Sequence, residues 1–248
     1  MFNQKKLYVG GCSFLENPNI LLNTELSDHF GHDPIVINAA SGGSNNDAIF
    51  RKAYFSLLRN DFDFVLIGWT QVWRISKVMD VFESSPEYEK LLTEESYQSI
   101  LEGTQYYTAI IGNDKNYNRY SHLEPEGTDN CIMYTIILHR LMKEKGIPHL
   151  FISMGDVINY TLKARPGWLE FIDTKNYFGT GELKDRMSFC VTNHFQREHK
   201  KMFGENYHDS THTHPLSLIR DNANHLTDRG GRLLAKQILE HIKENGIA

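Results

Sequence analysis

Residues 62–69 read FDFVLIGW, and from Phe64 to Trp69 the run is apolar throughout apart from Gly68. A continuous apolar run, without polar alternation, is what a strand covered on both faces of a parallel sheet requires. Three shorter runs belong with it. Leu7 to Val9 precedes Gly10 and Gly11, PIVINAA at 34–40 precedes Ser41, Gly42 and Gly43, and HLFISM at 149–154 precedes Gly155. Each is followed by the small residues that turns favour.

Between these runs the apolar period becomes helical. Ser44, with Asp47 three residues on, reads as a helix start whose stripe is Ile49, Ala53 and Leu57. Cys131, Tyr134, Leu138 and Leu141 mark a second helix ending near Gly146, with Lys143 and Lys145 suited to its C-terminal dipole. Thr227 is the expected cap of a closing helix with Leu234, Ile238 and Ile242 on one face. Strand and helix in alternation predict an α/β fold, a doubly wound, flavodoxin-like, three-layer α/β/α parallel sheet. Right-handed crossovers then deliver every strand's carboxyl end to one edge. No repeat or linker divides the chain, so a single domain over 1–248 is expected. Residues 75–127 and 160–220, rich in Tyr, Glu and Ser and weakly periodic, read as loop insertions above that edge.

At 248 residues the chain is long enough to bury roughly 70 to 75 % of its unfolded surface without a metal or disulfide. Hydrophobic residues at 40 %, with 23 % charged, exclude a disordered or fibrous chain. Twenty-six basic against 31 acidic residues give a formal charge of -5, which argues against a nucleic-acid partner and leaves Arg197, Lys200 and Lys201 as solvated surface. Cys12, Cys131 and Cys190 are odd in number and widely spaced, as in a reducing compartment. No apolar run reaches the roughly 18 residues of a membrane span, and the N-terminal run is too short for a signal-peptide core. A protein of the cytoplasm, or of the cytoplasm of a host, is expected. The sequence specifies no cofactor and no oligomeric state. His208, His212 and His214 with Asp209 have metal-like spacing but no second matching cluster, so they read as a polar loop and no metal site is expected.

In an open parallel sheet, ligands collect beyond the carboxyl ends of the strands. The first run leads to Ser13, a hydroxyl on a glycine-led turn, with Cys12 beside it as a small packing residue. The second leads to SGGSNND at 41–47, whose glycine N–H groups and amides suit a developing oxyanion. One such donor is worth about 2.7 to 4 kcal/mol. His225 stands two residues before the cap of the closing helix and Asp221 four residues upstream of it, which completes a nucleophile, base and orienter set. Arg74, four residues past Thr70, suits an anionic substrate group or a loop carboxylate. Trp69, with Trp73, Tyr106 and Tyr107, suits either packing or a sugar platform.

These blocks, GCSF at 11–14, SGGSN at 41–45, IGWT at 67–70 and a histidine before the last helix, resemble the SGNH (GDSL-like) hydrolase superfamily, in a variant found in phage and bacterial proteins. The resemblance implies Ser13 as nucleophile, His225 as base, and an oxyanion hole formed by the N–H groups of Ser13 and Gly42. Two positions depart from the family pattern. Thr70 stands where the third oxyanion donor is an Asn side chain, with Asn45 or Asn46 as neighbouring substitutes. Asn222, three before His225, stands where the family has Asp, so either Asp221 or Asn222 orients the ring. Gly112, Asn113 and Asp114 imitate the third block but lack its intervening residue, and read as a turn. The implied activity is a serine esterase or deacetylase acting on a small acyl ester, with a small molecule or carbohydrate as partner and no membrane involvement. Acyl transfer to a sugar hydroxyl, or a catalytically weak glycan-binding or structural phage-particle protein, are the alternatives.

Overall fold

The computed structural model describes residues 4–16, 24–31, 33–41, 44–72, 124–155, 157–178, 190–204, 216–219 and 225–248. Its centre is a four-stranded sheet of β1 (Lys6–Gly10), β2 (Ile35–Asn38), β3 (Phe64–Trp69) and β4 (His149–Ser153), in the order β2-β1-β3-β4. All three pairings are parallel, with Leu7 opposite Val36 and Phe64, and Leu66 opposite Leu150. The expected α/β doubly wound architecture is the one observed.

Alternation along the strands supplies two cores. Leu7, Val9, Phe64, Leu66, Leu150 and Ile152 face one side; Tyr8, Val65, Ile67, Trp69 and Phe151 face the other. Helices cover both sides, which is why β3 and β4 are buried at every residue. The first side receives Leu26 and Phe30 of α2 (Thr24–Phe30), Val191 and Phe195 of α6 (Val191–Phe203), and Leu234, Ile238 and Ile242 of α7 (Asp228–Asn245). The second receives Ile49, Ala53 and Leu57 of α3 (Asn46–Arg59), and Cys131, Tyr134 and Leu138 of α4 (Glu124–Glu144). Val157 and Ile158 of α5 (Val157–Ala164) join them. A short α1 (Ser13–Glu16) follows β1.

Caps follow the sequence with one shift. Thr227 caps α7, its Oγ1 accepting from Gly230 N, and Gly246 ends that helix in the left-handed region at φ 57°. At α3 the cap is Asn45 rather than Ser44: Asn45 Oδ1 accepts from Ala48 N at 2.8 Å, while Ser44 Oγ lies 2.7 Å from Ser41 Oγ. The stretch 160–220 also differs from expectation in part. Trp168, Leu169, Ile172 and Tyr177, on two short 3-10 turns, and Val191 and Phe195 are built into the cores. Of the other proposed insertion, residues 75–123 lie outside the described residues. No helix among the described residues is long and apolar enough to cross a membrane.

The amino ends of the strands carry a buried polar chain. The Asp173 backbone N–H donates to His139 Nε2 at 3.2 Å, so that nitrogen is unprotonated. His139 Nδ1 then donates to His149 Nε2 at 2.9 Å, and His149 Nδ1 donates to the Ile147 carbonyl at 2.9 Å. Each neutral ring gives one proton and accepts one. Burial pushes both imidazoles below their ordinary value, His149 from 6.5 to about 4, against the pull of the Asp173 carboxylate. The unfolded chain therefore binds more protons than the folded one on the acid side of 6.5. Stability is full above pH 6.5 and declines as pH falls toward 4, by an amount on the order of 3 kcal/mol for His149. Urea midpoints measured from pH 7.5 to 4 should fall across this window, and the fall should shrink in His149→Asn after correction for its lower starting stability.

Candidate active site

Ser13 opens α1 directly after the carboxyl end of β1. Two glycines make room for that turn. A Cβ at Gly68 would lie 2.4 Å from Leu15 Cδ1, and one at Gly11 would lie 2.9 Å from the same atom. Leu15 therefore sits on bare backbone at the ends of β1 and β3, drawing α1 down onto the sheet edge, with Cys12 fully buried beneath it. Ser13 is left half-buried at the rim. Here β1 and β3 are neighbours while the chain moves outward from them in opposite directions, which is the switch point where open sheets bind ligands.

His225 reaches this rim from the far end of the chain. Its segment is fixed by a small polar lattice: Leu226 bridges antiparallel to Ile219, Thr227 N donates to Leu218 O at 3.1 Å, and Thr227 Oγ1 donates to Ser217 O at 2.7 Å. The first turn of α7 presses against the same segment, since a Cβ at Gly230 would lie 2.2 Å from Leu218 O. The Phe14 ring lies 4.8 Å from the imidazole, tilted by 34°. The result is a 2.9 Å contact between His225 Nε2 and Ser13 Oγ, across 212 residues of sequence. With Nε2 accepting the hydroxyl proton, the alcohol is aligned for proton transfer to the ring.

The neighbouring turns are held by buried amides. Asn46 makes two bonds to the backbone of Thr70: its Nδ2 donates to Thr70 O at 3.1 Å and its Oδ1 accepts from Thr70 N at 2.8 Å. The Thr70 hydroxyl, itself buried, donates to Gln71 Oε1 at 3.0 Å. Asn45 serves as the α3 cap described above. Lys52 Nζ donates to Ser41 Oγ at 2.9 Å, and Ser41 N donates to Gly11 O at 3.2 Å, which ties the turn after β2 to the turn carrying Ser13. Gln71 and Lys52 were not singled out by sequence reasoning, and Asn46, read there as a substitute oxyanion donor, instead bonds the backbone of Thr70. Only the Asn45-Asn46 pair at a helix start offered a signal.

Trp69 requires a correction. It is fully buried on the second core, stacked at 8° on Phe151 with centroids 6.1 Å apart, and so is closed to a substrate. As the last residue of β3 it follows the strand's alternation onto the core face rather than leaving for the rim. Gly42, Arg74, Asp221, Asn222 and the Gly112 to Asp114 turn lie outside the described residues, as do Trp73, Tyr106, Tyr107, His208, Asp209, His212 and His214. Among the described residues no group of His, Cys, Asp and Glu could hold a metal ion.

No protein-family profile matches the chain, and no curated protein matches it. Solved structures with a similar course of chain include YxiM of Bacillus subtilis, with TM-score 0.47 and 15 % identity over 99 % of this chain. The chain spans 58 % of that protein's length. An acetyl xylan esterase, AlAXEase, gives TM-score 0.46 and 14 % identity over 96 % of this chain and 99 % of its own. TesA gives 0.46 and 11 %, over 97 % and 99 %.

The packing at Gly230 is directly testable. Gly→Ala in a helix ordinarily gains up to about 1 kcal/mol. At Gly230 the added methyl meets a backbone carbonyl, so Gly230→Ala should instead lose roughly 1 to 3 kcal/mol in urea denaturation.

Proposed function

We propose that this protein is a serine hydrolase of the SGNH type that cleaves small acyl esters. The observation that carries the reading is the 2.9 Å approach of His225 Nε2 to Ser13 Oγ at the switch point of a doubly wound sheet. A hydroxyl needs a base to become a nucleophile near neutral pH, and an imidazole within hydrogen-bond reach is the usual one.

In this mechanism Ser13 Oγ attacks the acyl carbon while its proton passes to His225 Nε2. The carbonyl oxygen becomes an oxyanion, stabilised by the N–H groups of Ser13 and Gly42. Collapse breaks the ester bond, and the departing alkoxide takes the proton from His225. A water molecule, deprotonated by the same ring, then attacks the acyl-enzyme; the second tetrahedral intermediate releases the carboxylic acid and returns the proton to Ser13. Asp221 orients the imidazole through Nδ1 and stabilises its cationic form.

Hydrolysis of p-nitrophenyl acetate tests each part. Ser13→Ala and His225→Ala should both fall to near background, a loss of at least about 10³-fold, and a fluorophosphonate should label Ser13 in wild type but nothing in Ser13→Ala. Asp221→Asn should lower kcat by about 10⁴-fold while Asn222→Ala lowers it far less. Wild-type turnover that survives in Ser13→Ala would overturn the reading.

A further inference from the structure

The reach of the His225 imidazole over Ser13 is set by the backbone beside it, and the bonds that hold this backbone lead away from the site to α6. His199, fully buried, follows Val191 and Phe195 on the stripe by which α6 enters the first core. Apolar packing alone would be served there by a leucine, whereas a buried imidazole is costly unless it is hydrogen-bonded. Its Nδ1 lies 3.3 Å from Oγ of Ser217, a serine only 1 % exposed. The Ser217 hydroxyl gives its proton to the Ile219 carbonyl, so toward the ring it can only accept, and His199 donates from Nδ1. The Phe203 ring, its centroid 4.6 Å away, adds a packing contact to the same imidazole.

From Ser217 the chain of bonds continues to the base. The Ser217 carbonyl accepts from Thr227 Oγ1 at 2.7 Å, and Thr227 Oγ1 accepts from Gly230 N at 3.1 Å in the cap of α7. Ile219, whose carbonyl takes the Ser217 proton, bridges to Leu226. One buried serine is thereby bonded to the partner of Leu226 and to Thr227, the two residues that follow His225. At its own start α6 is tied to the sheet, with Thr192 N donating to Met154 O at 3.3 Å just beyond β4. His199 thus refers the position of the base to the sheet from which Ser13 emerges.

We infer that His199 and Ser217 are positioning residues for the base, their hydrogen bond fixing the depth at which His225 meets Ser13, a role that rests on the serine-hydrolase reading. Both act through the backbone that Leu226 and Thr227 share with His225. A misplacement of about 1 Å at a reacting group can cost about 10²-fold in rate.

The test is hydrolysis of p-nitrophenyl acetate by the full chain, well below its unfolding temperature, with the rate of fluorophosphonate labelling of Ser13 as a second readout. Ser217→Ala and His199→Leu should each lower kcat by about 10- to 10²-fold with KM little changed, and should slow labelling in parallel. The double variant should lose no more than either single one, since both remove the same bond. His199→Asn, whose Nδ2 can donate from the place of Nδ1, should restore most of kcat. Should His199→Leu fail to fold, the smaller change Ser217→Ala still decides. Variants that unfold at lower urea yet keep wild-type kcat and labelling rate would overturn the inference, because a purely structural bond moves stability alone. A folded His199→Asn as impaired as His199→Leu would overturn it too. Both outcomes leave the hydrolase reading intact so long as Ser13→Ala is inactive. A wild type that neither turns over the ester nor labels at Ser13 would overturn both.

Discussion

Because β1 pairs in parallel with β2 on one side and β3 on the other, every strand ends at the same edge and the chain must leave β1 and β3 side by side. The rest of the site follows from that constraint. Ser13, the Ser41–Ser44 turn and the Thr70–Gln71 turn are successive exits from adjacent strands, so residues far apart in sequence meet without any element having to bend toward them. β3 and β4 are buried at every residue while β2 at the outer edge is partly exposed, and the polar contacts gather at the strand ends. At a parallel edge the emerging backbone would otherwise present unpaired groups. Here Asn46 satisfies two of them at Thr70, and Gly11 O accepts from Ser41 N.

The two ends of the sheet are built on different principles. At the carboxyl end Ser13 and His225 are half-buried, and the buried side chains of Asn45, Asn46 and Thr70 behind them make hydrogen bonds that hold the turns. At the amino end His139 and His149 are closed within the protein, and a single direction of proton donation, from the Asp173 N–H to the Ile147 carbonyl, satisfies both rings. A proton added to either ring sets two donors against each other. These three histidines thus divide by position rather than by type: the pair beneath β4 is structural, while His225 stands at the rim beside a hydroxyl.

Much of this was legible in the sequence, for identifiable reasons. The strands could be read because burial on both faces leaves a continuous apolar signature, and α7 because Thr227 and the Leu234, Ile238, Ile242 stripe are local signals. The convergence of Ser13 and His225 was legible through the place of each at the sheet edge and through the resemblance of separate blocks, since no local rule links positions so far apart. What escaped was non-local or aperiodic. The cap of α3 fell one residue later because Asn45 and Ser44 are both good caps and the Ser41 hydroxyl engages Ser44. Residues 166–178 turn in short 3-10 segments that carry no period, although Trp168 and Tyr177 are core residues. Trp69 was open to either packing or a sugar platform, and strand alternation sends it inward. The pairing of Asn46 with Thr70 depends on the sheet bringing two loops together, which neither loop encodes alone.

The 212-residue separation of Ser13 from His225 also has a bearing on biogenesis. At about 5 to 20 residues per second, a ribosome that has just made the alcohol takes on the order of 10 to 40 s to make the imidazole. Throughout that interval the four strands become available for pairing while the Ser13 hydroxyl has no imidazole to meet. The contact between them forms only once the closing helix has docked, and a translation product that stops before His225 lacks it.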